Sequence, residues 1–382
     1  HQLTLDLGYR YSDYSTAGST DTYKLGGDWS PVEDIRFRAG YNRAVRAPNV
    51  RELFAAQALG LFNLASDPCS GATPVFTQAQ CANTGVTAAQ YGTIVDNTAG
   101  QFNAIFGGNL NLDPEKADTI SLGAVLTPTA IDGFSVAVDY FHIKVEDQIG
   151  TIPPDLALQR CATTGNPVFC DLVNRGIGGT LWFDPSGFVT ATNVNTGTTK
   201  TAGVDVEVNY SFDLDQMGAA NAGGLAFSFV GTYLDKYISE PVPGEGNYDC
   251  VGFHGTTCGV PLPEWRHKFR TTWTSPWGFQ LSFNWRYIDG VKVDTSSSDP
   301  DLAGSFFPAA EKMNSRNYFD LAGSWDVMPG ISLSGGVNNI FDRDPPITAS
   351  TVQASVFGSG NTYPQVYDTL GRYFFIGARA EF

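Results

Sequence analysis

Alternation with a period of two runs through this chain from end to end, and no apolar run is long enough to offer another way of burying it. FQLSFNWRY at 279–287 is the plainest case: Phe279, Leu281, Phe283, Trp285 and Tyr287 alternate with Gln280, Ser282, Asn284 and Arg286, as a strand with two different faces requires. The same rhythm recurs at Leu3, Leu5, Leu7, Tyr9 and Tyr11, at Phe134, Val136, Val138 and Tyr140, and at Val204, Val206, Val208, Tyr210 and Phe212. It closes the chain at Gly371–Phe382, where Phe374, Ile376, Ala378, Ala380 and Phe382 share one face. Nowhere do about 18 apolar residues follow one another, the minimum for a spanning helix. A membrane reading must therefore be a barrel whose strands put apolar residues toward lipid and polar ones toward a lumen.

Twelve segments carry the pattern, near 1–14, 20–30, 34–46, 115–127, 134–146, 199–212, 224–238, 264–275, 279–290, 315–327, 331–341 and 371–382. Each is close to the ~9–11 residues of a tilted spanning strand. Bacterial barrels alternate short periplasmic turns with longer extracellular loops. Counted back from a last strand that descends to the periplasm, the turns fall at 31–33, 128–133, 213–223, 276–278 and 328–330. The extracellular connections fall at 15–19, 47–114, 147–198, 239–263, 291–314 and 342–370. The tryptophans Trp29, Trp265, Trp273, Trp277, Trp285 and Trp325 stand near strand ends or on the outward face, where an interfacial girdle would place them. A soluble sandwich shares the alternation but would hide its aromatic faces in a common core and would rarely carry such long loops.

The six cysteines form three close couples, Cys69 with Cys81, Cys161 with Cys170 and Cys250 with Cys258. Fifteen connectivities are possible, and pairing within each loop is the simplest, implying an oxidising compartment. No CxxC or CxxH spacing suggests zinc, and no cofactor motif is present. The formal charge of −16 opposes a nucleic-acid partner, which needs a basic surface. With only His1, His142, His254 and His267 and no nucleophile motif, nothing marks a catalytic site.

Five stretches then carry a family likeness. RFRAGYNRAVRAPNVRELF at 36–54, GGNLNLDPEKADTISLGAVLTP at 107–128, KTAGVDVEVNY at 200–210, GGVNNIFDRDPP at 335–346 and the closing GRYFFIGARAEF resemble the C-terminal part of the barrel of TonB-dependent outer-membrane receptors. The resemblance implies 22 strands around an N-terminal plug that carries a TonB-contacting box. The chain shows neither plug nor box, opens at His1 directly on a strand pattern, and so reads as one unit, 1–382, the second half of such a barrel. Its expected role is TonB-energised import of a siderophore, another iron chelate or an oligosaccharide across a Gram-negative outer membrane. A passive diffusion porin and a secreted β-rich binding protein are the alternatives.

Expected partners are TonB through the plug, the barrel-assembly machinery, outer-membrane lipid with lipopolysaccharide, and the ligand. The loop aromatics Tyr91, Phe102, Phe106, Trp182 and Phe183 are the ligand-stacking candidates, with local loop packing as their other reading. Arg266, Lys268 and Arg270 share one inward face and Arg286 lies inward on the next strand. Such a basic ladder would draw an anionic substrate or plug surface, or simply bridge Asp205, Glu207 or Asp320. Phe374, Ile376 and Phe382 resemble the signal that the assembly machinery reads.

Overall fold

In the computed structural model, which describes residues 1–353 and 360–381, the alternating segments become one antiparallel meander. Among the described residues its twelve wall strands are β1 (Gln2–Tyr14), β2 (Gly18–Val32), β3 (Ile35–Arg46), β4 (Glu115–Leu126), β5 (Phe134–Gly150), β6 (Val194–Asp213), β7 (Gly224–Glu240), β8 (Trp265–Thr274), β9 (Phe279–Ile288), β10 (Arg316–Met328), β11 (Ile331–Asn338) and β12 (Tyr373–Ala380). Every strand pairs with the next in sequence, and among the described residues β1 and β12 leave the outer edges of the sheet open. No helix among the described residues is long and apolar enough to cross a membrane.

Register assigns the two faces. Across β8–β10 the row Phe269, Trp285 and Phe319 is continuous, with ring centroids of the last two 6.3 Å apart. The row Arg270, Asn284 and Asp320 runs beside it on the opposite face. On β1, Leu3, Leu5, Leu7, Tyr9 and Tyr11 are all exposed, as expected of side chains meant for lipid rather than for a core. The tryptophans of β2, β8, β9 and β10 lie on this apolar face, while Trp277 sits in the β8–β9 turn, 70% exposed.

Strands β5 and β6 run further than their alternation suggests. The pattern predicts ends at 146 and 199, yet pairing continues to Gly150 and back to Val194. Asp147 has φ 57°, and the register shifts at Asn195/Gly197 and Gly197/Thr199. Each bulge flips the parity of the side chains while keeping the ladder, so periodicity fails before hydrogen bonding does. The connections at the opposite end are shorter, from two residues at β2–β3 and β10–β11 to ten at β6–β7. Pro329 and Gly330 join β10 to β11, and Gly330 at φ 82° lies where a Cβ would stand 2.7 Å from the Glu381 carbonyl oxygen.

Candidate functional site

All long connections emerge at one end of the sheet and condense into two compact bodies. The first joins the β3–β4 and β5–β6 loops. It starts at Arg46, whose guanidinium meets Glu115, its cross-strand neighbour, and Glu52 at 3.0 Å. Glu52 also accepts from the Asn49 amide at 2.8 Å while the Asn49 side chain accepts from the Glu52 amide at 2.9 Å. This reciprocal cap starts the short helix Val50–Phe54 and turns the chain off the wall. The sequence carries the signal in APNVRE, Asn followed three residues later by Glu, but period-two alternation does not register it; Thr77 and Gln80 cap Gln78–Asn83 in the same way.

Beyond this turn, Ala58–Asn63 and Gln101–Gly107 from one loop share a four-stranded sheet with Val173–Asn174 and Phe188–Thr192 from the other. The parallel pairing of Ala104–Gly107 with Val189–Thr192 is the seam. Helix α1 (Pro154–Thr164) packs Leu158 and Cys161 against Phe102, Phe169, Leu181 and Val189. A second small core gathers Cys69, Cys81, Val86 and Ile94. Between them Arg175 and Asp67, 3% and 2% exposed, form an ion pair, with Nη2 donating to Oδ1 at 3.0 Å and Nε donating to Thr84 Oγ1 at 2.9 Å.

The other body joins the β7–β8, β9–β10 and β11–β12 loops. Phe253–His254, Val291–Val293 and Lys312–Met313 form a three-stranded sheet over Val291, Met313, Tyr363 and Tyr367. The Asp294 carboxylate, 1% exposed, accepts from the amides of Thr257 and Cys258 at 2.8 and 3.0 Å and from Thr295 at 2.8 Å. It thereby clasps the small ring closed by Cys250 and Cys258. His254 lies buried beside Tyr363, Nδ1 to hydroxyl 3.2 Å, and burial pushes its pKa down to about 4 although Asp294 pulls the other way. Burial likewise raises Tyr363 and Tyr367. The disulfides Cys69–Cys81, Cys161–Cys170 and Cys250–Cys258 are all formed, each within its own loop.

The five loop aromatics separate by burial. Phe102 is wholly buried in the first body and meets the Phe62 ring at a tilt, centroids 5.8 Å apart. Its ring is a core element with no face left for a ligand, which removes it from the stacking candidates. Tyr91 donates its hydroxyl to the Phe76 carbonyl at 2.9 Å and packs on the Cys69–Cys81 core. Trp182 Nε1 donates to the Val95 carbonyl at 3.3 Å, and its ring meets Phe183 edge to face at 5.6 Å. Phe183, 76% exposed, and Phe106, 38% exposed, keep free aromatic surface.

On the lumen face, register sets Lys268 opposite Arg286, and Arg270 opposite Asn284. Arg286 is neutralised: its Nε donates to Asp320 at 2.8 Å, its Nη2 to Asp368 at 3.0 Å, and it lies 5.0 Å over the Tyr318 ring. The expected bridging thus holds for Arg286 with Asp320. For Arg266, Lys268 and Arg270 no ion pair is found among the described residues, because β7 places Thr232, Val230 and Ser228 between them and Asp205, Glu207 and Asn209. Arg266, Lys268 and Arg286 line a hollow of about 560 Å³ with Pro261, Pro263 and Tyr287, directly beneath the second loop body. A hollow of about 680 Å³ at the other end, between Asp326–Ser332 and Arg379, is the groove beside an open sheet edge and offers no comparable grouping. Phe374 and Ile376 are exposed on the outer face of β12; Phe382, the third residue expected in the assembly signal, lies outside the described residues. Among the described residues no cluster of three or more His, Cys, Asp or Glu stands ready to hold a metal ion.

An up-and-down antiparallel wall, apolar on one face and polar on the other, with the shorter connections at one end and stapled loops at the other, defines the outer-membrane β-barrel class of protein. Residues 1–340 match the family described as TonB dependent receptor-like, beta-barrel, and the chain belongs to that family. Among solved structures it is similar to a mutant of the ferric enterobactin receptor (PfeA) of Pseudomonas aeruginosa in complex with enterobactin, with TM-score 0.60 and 16% identity over 100% of this chain and 43% of that one. The siderophore receptor PirA from Acinetobacter baumannii is similar at TM-score 0.58 and 14% identity, again over 100% and 43%. The chain thus spans less than half the length of these receptors. No curated protein matches it in sequence.

Proposed function

We propose that residues 1–382 are the C-terminal part of the wall of an outer-membrane receptor, and that the whole receptor imports a scarce ligand with energy delivered through TonB. The observation that carries this reading is the polarity of the sheet: every long connection gathers at one end into a disulfide-stapled body, as a ligand-catching face outside the cell would require. The partners follow from the same reading: TonB at a plug domain, the barrel-assembly machinery at β12 through Phe374, Ile376 and Phe382, and outer-membrane lipid around the wall. TonB-dependent receptors carry ligands without reacting with them, and we assign no catalytic role.

For the ligand, the exposed Arg266, Lys268 and Arg270, which have no ion pair among the described residues, support an anionic iron chelate over a neutral oligosaccharide, because a cluster of unneutralised cations on one face attracts negative charge. The similar receptors are a ferric enterobactin receptor and a siderophore receptor, which agrees in chemistry. Phe183 and Phe106 supply stacking surface above. The test is uptake in cells lacking the receptor gene, complemented with the gene, with and without TonB. Uptake of labelled ferric chelate that requires both supports the proposal. Uptake that persists without TonB points to a passive porin, and saturable oligosaccharide uptake without chelate uptake overturns the ligand assignment.

A further inference from the structure

The outer face of β6 carries an apolar column that ends abruptly in positive charge. Ala202, Val204, Val206, Val208, Tyr210 and Phe212 share the outward face, their parity set by pairing of Val204 with Tyr140 and of Val206 with Val138. Ten residue steps separate Ala202 from Phe212. At about 3.3 Å per step and a tilt of about 40° they rise about 25 Å along the barrel axis, the height of the apolar band of an outer-membrane barrel. The next outward residue toward the long loops is Lys200. It therefore stands at the headgroup level of the outer leaflet.

Lys200 does not stand alone there. Its direct cross-strand partner on β5 is Lys144, and Ala202, one outward step below, is flanked by His142 on β5 and Lys236 on β7. Like charges directly opposite one another destabilise a sheet, so an anion held between Lys144 and Lys200 relieves their repulsion. Lys144 reaches Glu146 and Lys236 lies 3.9 Å from Asp235, both acids on the lysine's own strand. Lys200 is exposed and has no ion pair among the described residues. Beside them Arg43 meets Asp118 at 3.7 Å, and Asp118 pairs with Lys144 in register, which leaves Lys200 as the unneutralised centre of the patch.

We propose that Lys144, Lys200 and Lys236 form a lipid-phosphate site on the outer wall, which takes the phosphate monoester of an anionic outer-leaflet glycolipid of the lipid A type. The inference rests on the outer-membrane reading and extends it to a named partner and place. Ammonium groups bind phosphate as point charges, and three of them at the edge of hydrocarbon, where the dielectric falls, hold it more firmly than in open water. The acyl chains of the same lipid then lie along Val204, Val206, Tyr140 and Tyr233. Snorkelling alone would let the lysines reach water, but it explains neither the direct Lys144–Lys200 opposition nor the absence of a partner for Lys200.

The test uses the intact receptor in phosphatidylcholine nanodiscs doped with bisphosphorylated or dephosphorylated lipid A, with retained lipid measured by native mass spectrometry. The triple variant Lys144→Gln, Lys200→Gln, Lys236→Gln is compared with wild type, and the loop variant Lys292→Gln serves as a charge control. Insertion is checked by heat-modifiable mobility. The expected result is retention of bisphosphorylated lipid A at least tenfold above the dephosphorylated form, lost in the triple variant, kept in the control, and not displaced by millimolar inorganic phosphate. Equal retention by an inserted triple variant, or equal retention of both lipids, overturns the site while leaving the membrane reading intact. Displacement by free phosphate overturns the lipid assignment. Failure of the wild type to insert overturns the membrane reading and the site together.

Discussion

Arg38 and Asp139 are joined across a strand to which neither belongs. Arg38 on β3 and Asp139 on β5 both stand in register with Gly123 of β4, and the guanidinium Nε donates to Oδ1 at 2.6 Å over the glycine, with a second hydrogen bond from Nη2 to Oδ2. A Cβ at Gly123 would lie 2.1 Å from that Oδ1. The missing side chain is what lets a lumen-face ion pair reach two strands. Where β7 carries Thr232 and Val230 in the equivalent place, Arg266 and Lys268 remain separate from Asp205 and Glu207.

Gly123→Val should therefore break the Arg38–Asp139 bridge and strain β4, with an expected loss of about 1–3 kcal/mol. The check is urea unfolding of the refolded wall in detergent, followed by heat-modifiable mobility. Ser substituted at the outward-facing Gly27, where a Cβ meets only ordinary contacts at 3.6 Å or more, should change little.

Arg175→Met leaves Asp67 buried without its cation. Removing one partner of a buried pair costs about 3–5 kcal/mol, and the first loop body should loosen as a unit. Hydrogen exchange should rise in 58–63 and 101–107 of one loop and in 173–174 and 188–192 of the other. Exchange confined to the mutated loop would show that the two loops are not mechanically one. Asp67→Leu with Arg175→Met should recover part of the loss, since an apolar pair carries no unpaired charge.

Phe102 and Phe183 predict opposite outcomes. Phe102→Ala opens a cavity in the first loop core and should cost about 3–5 kcal/mol of loop stability, read as faster proteolysis of 47–114. Phe183→Ala should leave stability within about 0.5 kcal/mol and weaken ligand binding to the intact receptor. A Phe183 variant with unchanged affinity would take its ring out of the ligand site.

His254 makes the second loop body sensitive to acid. Burial lowers its pKa from 6.5 to about 4, so the folded form binds a proton more weakly than the unfolded form does. Its stabilisation is complete above about pH 6.5 and is lost as pH falls toward 4, by up to about 3 kcal/mol. Asp294 and Tyr363 are the ionisable groups that face it, and Asp294 reduces the effect. Proteolysis of 241–264 and 289–315 should accelerate between pH 6 and 4 in wild type and stay flat in His254→Gln, which keeps a hydrogen bond to Tyr363 without a titrating group.

Much of the wall was legible because a strand has a period of two and a bilayer allows only one sign of face outward. Phe374 and Ile376, and the inward parity of Arg266, Lys268 and Arg270, follow from that alone. Short-range disulfides were legible too, since Cys250 and Cys258 are eight residues apart. The ends of β5 and β6 were not, because the bulges near Gly197 reverse parity without ending the ladder. Nor was the fate of Phe102: a loop aromatic surrounded by polar residues looks the same in sequence whether it faces a ligand or a core.

What the amino-acid order determined by itself is therefore local and periodic: which residues are wall, which face each side chain takes, and at which end the long loops lie. What only the tertiary structure decided is how those loops combine. Asp67 and Arg175 are 108 residues apart, Gln101–Gly107 pairs with strands from both loops, and His254 finds Tyr363 109 residues further on. Such contacts repeat with no period and carry no local propensity. They exist because the sheet brings the loop roots side by side, after which burial of apolar side chains selects the partners.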